Sequence, residues 1–364
     1  MSYKKEEIKG LNRLELPFFV KCLTEGEKYS FPDALPLHIY FEKELGALRQ
    51  KENKTVNEYL EIAYQYGSLF EGSLSNESGL AYLKPFYEFI LNNSKDFENI
   101  LEIGCGNGQL LKLLTNKFNN LVGIEPSEKV NEIEGITIVK GFFPNDLTQK
   151  KYLNIVHFGV LEHIPDSINF LSSHKGYLEN NGRLTFAVPD CSVNYEEGDI
   201  SMFFHEHFTY FNEDNIDLLL RKTGFSIIKK EKVLGMLFVS AQVQVKNCPT
   251  IYLPNTFEIK LKRKLASVRK TLNFFSETEI AVYPALRAIN YLHLFNKKSV
   301  RLVDDSTELE GKFIPGFEKT IESFKTMENH PPKMILITSN TFKKQIKEKI
   351  ENSLKLQNCQ IEYL

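Results

Sequence analysis

Three observations predict an α/β protein with a Rossmann-like core, a helical N-terminal cap and a second, smaller α/β domain at the C-terminus. From about residue 76, short apolar runs alternate with amphipathic stretches, as parallel strands joined by helices do. A strand-like run at 99–103 opens directly into a turn carrying Gly104, Gly106 and Gly108. At 246–256 the composition shifts to KNCPTIYLPNT, whose two prolines and turn formers mark a domain boundary.

The elements follow from this frame in chain order. In the cap, 1–75, the spacing of Val56, Tyr59, Leu60, Ala63 and Tyr64 predicts a helix over 55–66. The core, 76–247, opens with an amphipathic helix over 79–91 and a strand at 99–103. A helix after Gly108 and a strand at 120–124 come next, then apolar runs at 154–158 and 183–188, and a hairpin-like pair at 225–230 and 234–245. The second domain, 248–364, begins with a basic helix over 257–275. It then alternates again, with strands at 299–303 and 334–338 and a helix over 341–354.

Composition narrows the function classes. The 364 residues, 42% apolar, exceed one ordinary core, so two or three lobes are expected. Lys plus Arg number 45 against 47 Asp plus Glu, and a net charge of -2 leaves no footprint for nucleic acid or an anionic membrane. A small-molecule partner fits better. The five cysteines, Cys22, Cys105, Cys191, Cys248 and Cys359, form no CxxC pair, which argues against a zinc knuckle or a disulfide framework. No segment approaches the ~18 uninterrupted apolar residues of a membrane span, and MSYKKEEIKG lacks the apolar centre of a signal peptide. A soluble, cytoplasmic protein is expected.

The sharpest motif is NILEIGCGNGQL at 99–110, where glycines permit close backbone approach to a ligand. A dinucleotide fold uses GxGxxG to seat a pyrophosphate on a helix N-terminus. Here the spacing is GxGxG, with Glu102 two residues before the first glycine and Cys105 inside the turn, which favours a nucleoside cofactor without phosphates. S-adenosylmethionine (SAM) fits, since Glu102 can help position its amino-acid end. After the second strand Glu125, followed by Pro126, can accept hydrogen bonds from two ribose hydroxyls, although nicotinamide enzymes place a carboxylate at a similar distance. Phe142, Phe143 and Asp146 suit stacking on and hydrogen bonding to an adenine, or form a core aromatic pair.

HFGVLEHIPD at 157–166 looks like the fourth-strand segment of class I SAM methyltransferases, which borders cofactor and substrate and includes Leu161 and Glu162. Further on, GDISMFFHEHFTYFN at 198–212 concentrates His205, Glu206, His207 and Tyr210. A neutral histidine there can remove a proton from an acceptor, and His207 is the first choice; His205 serves equally well as a buried residue satisfying backbone. Two histidines at i, i+2 lack a third metal ligand nearby in sequence, so no metal is expected.

The same segment is similar to the HEHxSYF stretch of bacterial sugar C-methyltransferases acting on nucleotide-linked keto-sugars. VDDSTELEGKFIPGFEKTI at 303–321 and MILITSNTFKKQI at 334–346 resemble that family's C-terminal segments, and Tyr64, Tyr66, Gly67 and Ser68 look like its tyrosine-serine approach to the site. The resemblance implies that His207 takes the proton, that Glu206 and Tyr210 orient base and sugar, that His163 is retained in the site, and that Tyr64, Tyr66 and Ser68 face the substrate; for an amine acceptor, Glu162 and Glu206 are candidates for an acidic lining. The chain departs from the family in lacking its N-terminal zinc-binding cysteines, in carrying acidic Glu162 before His163, and in keeping only Tyr283, Pro284 and Ala285 of a YGAAAKG loop. The expected function is SAM-dependent methylation of a sugar or nucleotide-linked sugar. O- or N-methylation of another small molecule, SAM binding without transfer, and nicotinamide-dependent oxidoreduction stand as alternatives.

Overall fold

A computed structural model of the chain describes residues 5–8, 11, 14–19, 21–28, 30–65, 77–127, 130, 132–144, 150–244, 254–274, 280–295 and 300–364. The chain folds into two compact units that are not consecutive in sequence. The first comprises Met1–Asn12, His38–Ser192 and Phe204–Asn255, the second Arg13–Leu37, Val193–Phe203 and Thr256–Leu364.

A seven-stranded sheet organises the first unit. Its strands lie in the order Phe225–Val233, Met236–Val243, Leu178–Pro189, Tyr152–Phe158, Asn99–Ile103, Asn120–Glu125, Ile136–Lys140. Every neighbouring pair is parallel except those made by Met236–Val243, which runs antiparallel to both its neighbours. Strand residues alternate between two buried faces. Leu101, Ile103, Ile155, Leu184 and Phe186 pack beneath helices Ser167–Tyr177 and Glu213–Thr223, while Ile100, Val156, Ala187 and Phe238 meet Phe86 and Phe89 of helix Glu77–Asn93. A sheet covered on both faces needs such apolar runs, and this one is doubly wound. Chain order reverses between Asn99–Ile103 and Tyr152–Phe158, so the switch point lies where their carboxyl ends part.

The N-terminal region departs from the expected helical cap. The helix is present at Lys54–Gln65, but the residues before it form short strands. Lys5–Glu7, Ile39–Glu42 and Ala47–Gln50 join Thr209–Tyr210 in a four-stranded antiparallel sheet, and Leu14–Pro17 pairs with Ala34–Leu37. Burial outweighs local propensity here: Leu37, Ala47 and Leu48 are fully buried, and apolar side chains at this density form strands once a sheet face can cover them.

The second unit carries a five-stranded, all-parallel sheet in the order Ile321–Ser323, Arg301–Asp304, Ile280–Tyr283, Met334–Ile337, Gln360–Tyr363. Buried Asp199 ties its segments together. It accepts hydrogen bonds from the Ser201 backbone at 2.8 Å, the Tyr291 hydroxyl at 2.7 Å and the Asn340 amide at 3.0 Å.

Candidate functional site

The site lies in the first unit, on the two turns that flank its switch point. Asn99–Ile103 ends in Gly104, Gly106 and Gly108, all with positive φ (68°, 50° and 72°). The three glycines have different reasons. A Cβ on Gly104 would lie 2.6 Å from Val160 Cγ2, in the turn across the switch point, and one on Gly108 would lie 2.3 Å from Ile133 Cδ1. A Cβ on Gly106 would meet nothing within 4 Å among the described residues. Gly104 and Gly108 are therefore set by protein packing, and Gly106 alone borders open space.

Glu125, at the end of the second strand of this sheet, closes over the turn. Its carboxylate accepts the Gly106 N–H at 2.9 Å and the Ser127 N–H at 3.0 Å, which fixes its orientation. Glu102 is buried beneath, and its Oε2 has no hydrogen-bond partner among the described residues. Burial first, and Glu125 second, push its carboxyl well above the usual range. Cys105 is buried, and a Cβ on Gly123 would lie 2.5 Å from its sulfur, so the missing side chain at 123 makes room for the turn. Burial pushes the Cys105 thiol far up, so it is no nucleophile. Gly123 thus packs against the turn, a role that a lone glycine inside an apolar strand signals in the sequence.

Phe143 is partly buried and packs against the core, with ring centroids 5.7 Å from Phe170 and 5.3 Å from Tyr177, whereas Phe142 is 65% exposed. The Leu161 side chain is likewise in the core, packed with Leu171 and Phe186, because the short 3-10 helix Leu161–His163 turns it inward and presents the next two residues. Pro126 is exposed beside Glu125. Tyr66, Gly67, Ser68 and Asp146 lie outside the described residues, as does the side chain of Tyr64, whose backbone is in helix Lys54–Gln65.

The turn after the fourth core strand and the 204–210 segment are joined through backbone. The Phe208 N–H donates to Glu162 O at 2.7 Å, and His163 Nδ1 donates to Glu206 O at 3.0 Å. Thr209–Tyr210 is held as a strand against Ala47–Gln50, with Arg49 Nε donating to Thr209 Oγ1 at 3.2 Å. The Tyr210 hydroxyl donates to Phe204 O at 3.1 Å and the His207 N–H to the same carbonyl at 3.1 Å, which tightens the segment into a turn. As a result Glu162, His163 and His207 converge: one ligand-type atom from each lies within 4.8 Å of the others, and the two imidazoles meet edge to face at 4.8 Å. The third group that the 205–207 neighbourhood lacked comes from a segment some forty residues earlier in the chain. His205 is buried one turn away, and Glu206 is half-buried.

Desolvation dominates the electrostatics of this group. It raises Glu162 to about 8 and Glu206 to about 7. It lowers His163 to about 4, and His207, with His163 adding to the effect, well below the usual range. Near neutral pH both imidazoles are uncharged and keep a free lone pair.

The family model described as a methyltransferase domain matches residues 76–230, the segment that holds the glycine turn, Glu125 and the converging cluster. An uncharacterized methyltransferase of Oceanobacillus iheyensis is 33% identical over 99 residues, 24% of this chain and 45% of that protein. Another, of Bacillus cytotoxicus, is 28% identical over 136 residues, 35% of this chain and 63% of that protein. The chain thus spans about half the length of these relatives. Among solved structures, a 1,6-didemethyltoxoflavin N1-methyltransferase of Burkholderia thailandensis covers 54% of this chain with 96% of its own, at 15% identity and a TM-score of 0.44. Residues 76–230 match the methyltransferase-domain model and carry a Rossmann-like core.

Proposed function

We propose that the protein is a SAM-dependent methyltransferase whose acceptor is a small molecule bound at Glu162, His163 and the 204–210 segment. The observation that carries the reading is that the glycine turn and the Leu161–His163 turn face one another across a single switch point, where open α/β sheets bind their ligands. The residues present fit SAM. Gly106 leaves room for a close-lying ligand, Glu102 offers an unpaired carboxyl oxygen, and Glu125 is a preset acceptor for ribose hydroxyls. SAM supplies an activated methyl group, so the work left to the chain is to place the acceptor and remove its proton.

His207 is the proposed base. It is neutral, buried and flanked by His163, and it can take a proton from a carbon next to a ketone or from a hydroxyl. Tyr210 and the His163–Glu206 hydrogen bond hold the segment that carries it. The resemblance of HEHFTYF and of the 303–321 segment to sugar C-methyltransferases supports a sugar or nucleotide-linked sugar as acceptor.

Incubation with SAM and a panel of nucleotide-linked sugars and keto-sugars, followed by product mass, tests this. The wild type is expected to add one methyl group to a member of the panel. His207→Ala is expected to bind SAM with unchanged affinity and to lose transfer by at least a hundredfold, within the range of a missing general base. Methylation of non-sugar acceptors only would remove the sugar assignment, and absence of SAM binding would remove the whole reading.

A further inference from the structure

We propose that Glu162, His163 and His207 form a binding site for one divalent transition-metal ion of the Zn2+ type, with at least one coordination position left open for an oxygen of the acceptor. The binding claim stands on the three side chains alone; the role given to the open position rests on the methyltransferase reading.

Four observations converge on it. The first is the ligand set. One oxygen and two ring nitrogens lie within 4.8 Å of one another, and two histidines with one carboxylate are a common three-ligand set for catalytic zinc and for related divalent ions. Bonds of ~2.0–2.1 Å in tetrahedral geometry place ligand atoms about 3.3 Å apart, so the trio needs to close by no more than about 1.5 Å, within reach of side-chain rotation.

The second is the unpaired carboxyl oxygen. Glu162 is 3% exposed and its Oε2 has no hydrogen-bond partner among the described residues. A buried carboxyl oxygen without a partner is costly and calls for an explanation. Neither histidine satisfies it, and a cation between the three would.

The third is the tautomer of His163. A carbonyl oxygen only accepts, so the 3.0 Å contact with Glu206 O puts the proton on Nδ1 and leaves the lone pair on Nε2. That backbone hydrogen bond is the usual outer support of a metal-binding imidazole, fixing both ring orientation and tautomer. The fourth is rigidity. Glu162 and His163 sit in a 3-10 helix bonded to the other segment by Phe208 N–H to Glu162 O, and His207 is held by its own turn to Phe204. The site is preorganised from two segments.

With the ion bound, His207 would be a ligand in place of the base proposed above, and the metal would acidify an acceptor hydroxyl or α-carbon through its oxygen, the proton passing to solvent. This narrows the acceptor to molecules that present a hydroxyl or keto oxygen.

The 364-residue protein is stripped with EDTA, loaded with Zn2+ or Co2+, freed of excess ion, and analysed for bound metal. SAM affinity is measured on the same samples. One equivalent of metal is expected in the wild type, with the visible d–d bands of four- or five-coordinate Co2+. His163→Ala and His207→Ala are expected to bind at least tenfold more weakly. Glu162→Gln, nearly isosteric and therefore the variant least able to disturb folding, is expected to do the same, and His330→Ala, on the exposed surface of the second unit, to retain full stoichiometry. Less than a tenth of an equivalent in the wild type, or equal binding in wild type and Glu162→Gln, overturns the site. Loss of metal binding with SAM binding intact would leave the methyltransferase reading standing, so the two can fail separately.

Discussion

At the scale of single residues, the glycine turn separates into parts that the sequence could not tell apart. Three glycines in GxGxG look equivalent on paper, yet Gly104 and Gly108 yield to Val160 and Ile133, and only Gly106 faces open space. Their alanine variants should therefore fail in different ways. Gly106→Ala pays the left-handed backbone cost of about 1–2 kcal/mol and still folds, while its methyl group intrudes on the cofactor and weakens SAM binding at least tenfold. Gly104→Ala carries the same backbone cost plus a clash with a branched side chain, so its stability should fall by about 3 kcal/mol. Urea unfolding and calorimetric titration with SAM read the two effects. Unchanged SAM affinity in Gly106→Ala, or equal instability in both, would reject this division of roles.

At the scale of elements, what the sequence revealed depended on how local the signal was. The core strands, the turn at 104–108 and the helices flanking it were legible because each is a continuous apolar run with its own turn residues. The strands between 5 and 50 were not. They are three or four residues long, two of them contain proline, and such lengths are too short for alternation to register. The meeting of Glu162 and His163 with His207 was invisible for another reason, since it is made by backbone pairing between segments more than forty residues apart. Those short strands support the site. Arg49 bonds Glu42 at 2.5 Å with both side chains largely buried, and it also reaches Thr209 and the Pro165 carbonyl. Arg49→Met should cost about 3–5 kcal/mol, because it leaves the Glu42 carboxylate buried without a partner. Adding Glu42→Gln should recover much of that loss. Urea midpoints of the two variants check it, and a double variant no more stable than Arg49→Met would show that the pair is not the cause.

At the scale of the whole molecule, two units each carry an apolar sheet core, and the core of the first encloses ionisable groups that set how the fold responds to acid. His157 is fully buried, stacks on Phe186 with centroids 5.0 Å apart, and has no hydrogen-bond partner on either ring nitrogen among the described residues. His174, beside it, bonds only the Phe170 carbonyl among the described residues, at 2.8 Å. Burial lowers His174 to about 4, and burial together with His174 lowers His157 well below the usual range. The unfolded chain takes up these protons near pH 6.5 and the folded chain does not. Stability from the two neutral rings is therefore fully present above about pH 6.5 and is lost as pH falls through that value toward the folded pKa. A histidine held this way loses stability as pH falls from 7 to 5, because only the unfolded chain takes up its proton there. His157→Phe keeps a flat ring against Phe186 and removes one such proton site. Whatever constant cost the larger ring brings, the stability difference between variant and wild type should move in the variant's favour over that interval. Urea unfolding of both proteins at pH 7 and pH 5 measures it, and parallel pH dependences would mean that His157 is hydrated or already paired in solution and does not govern the acid limit of the fold.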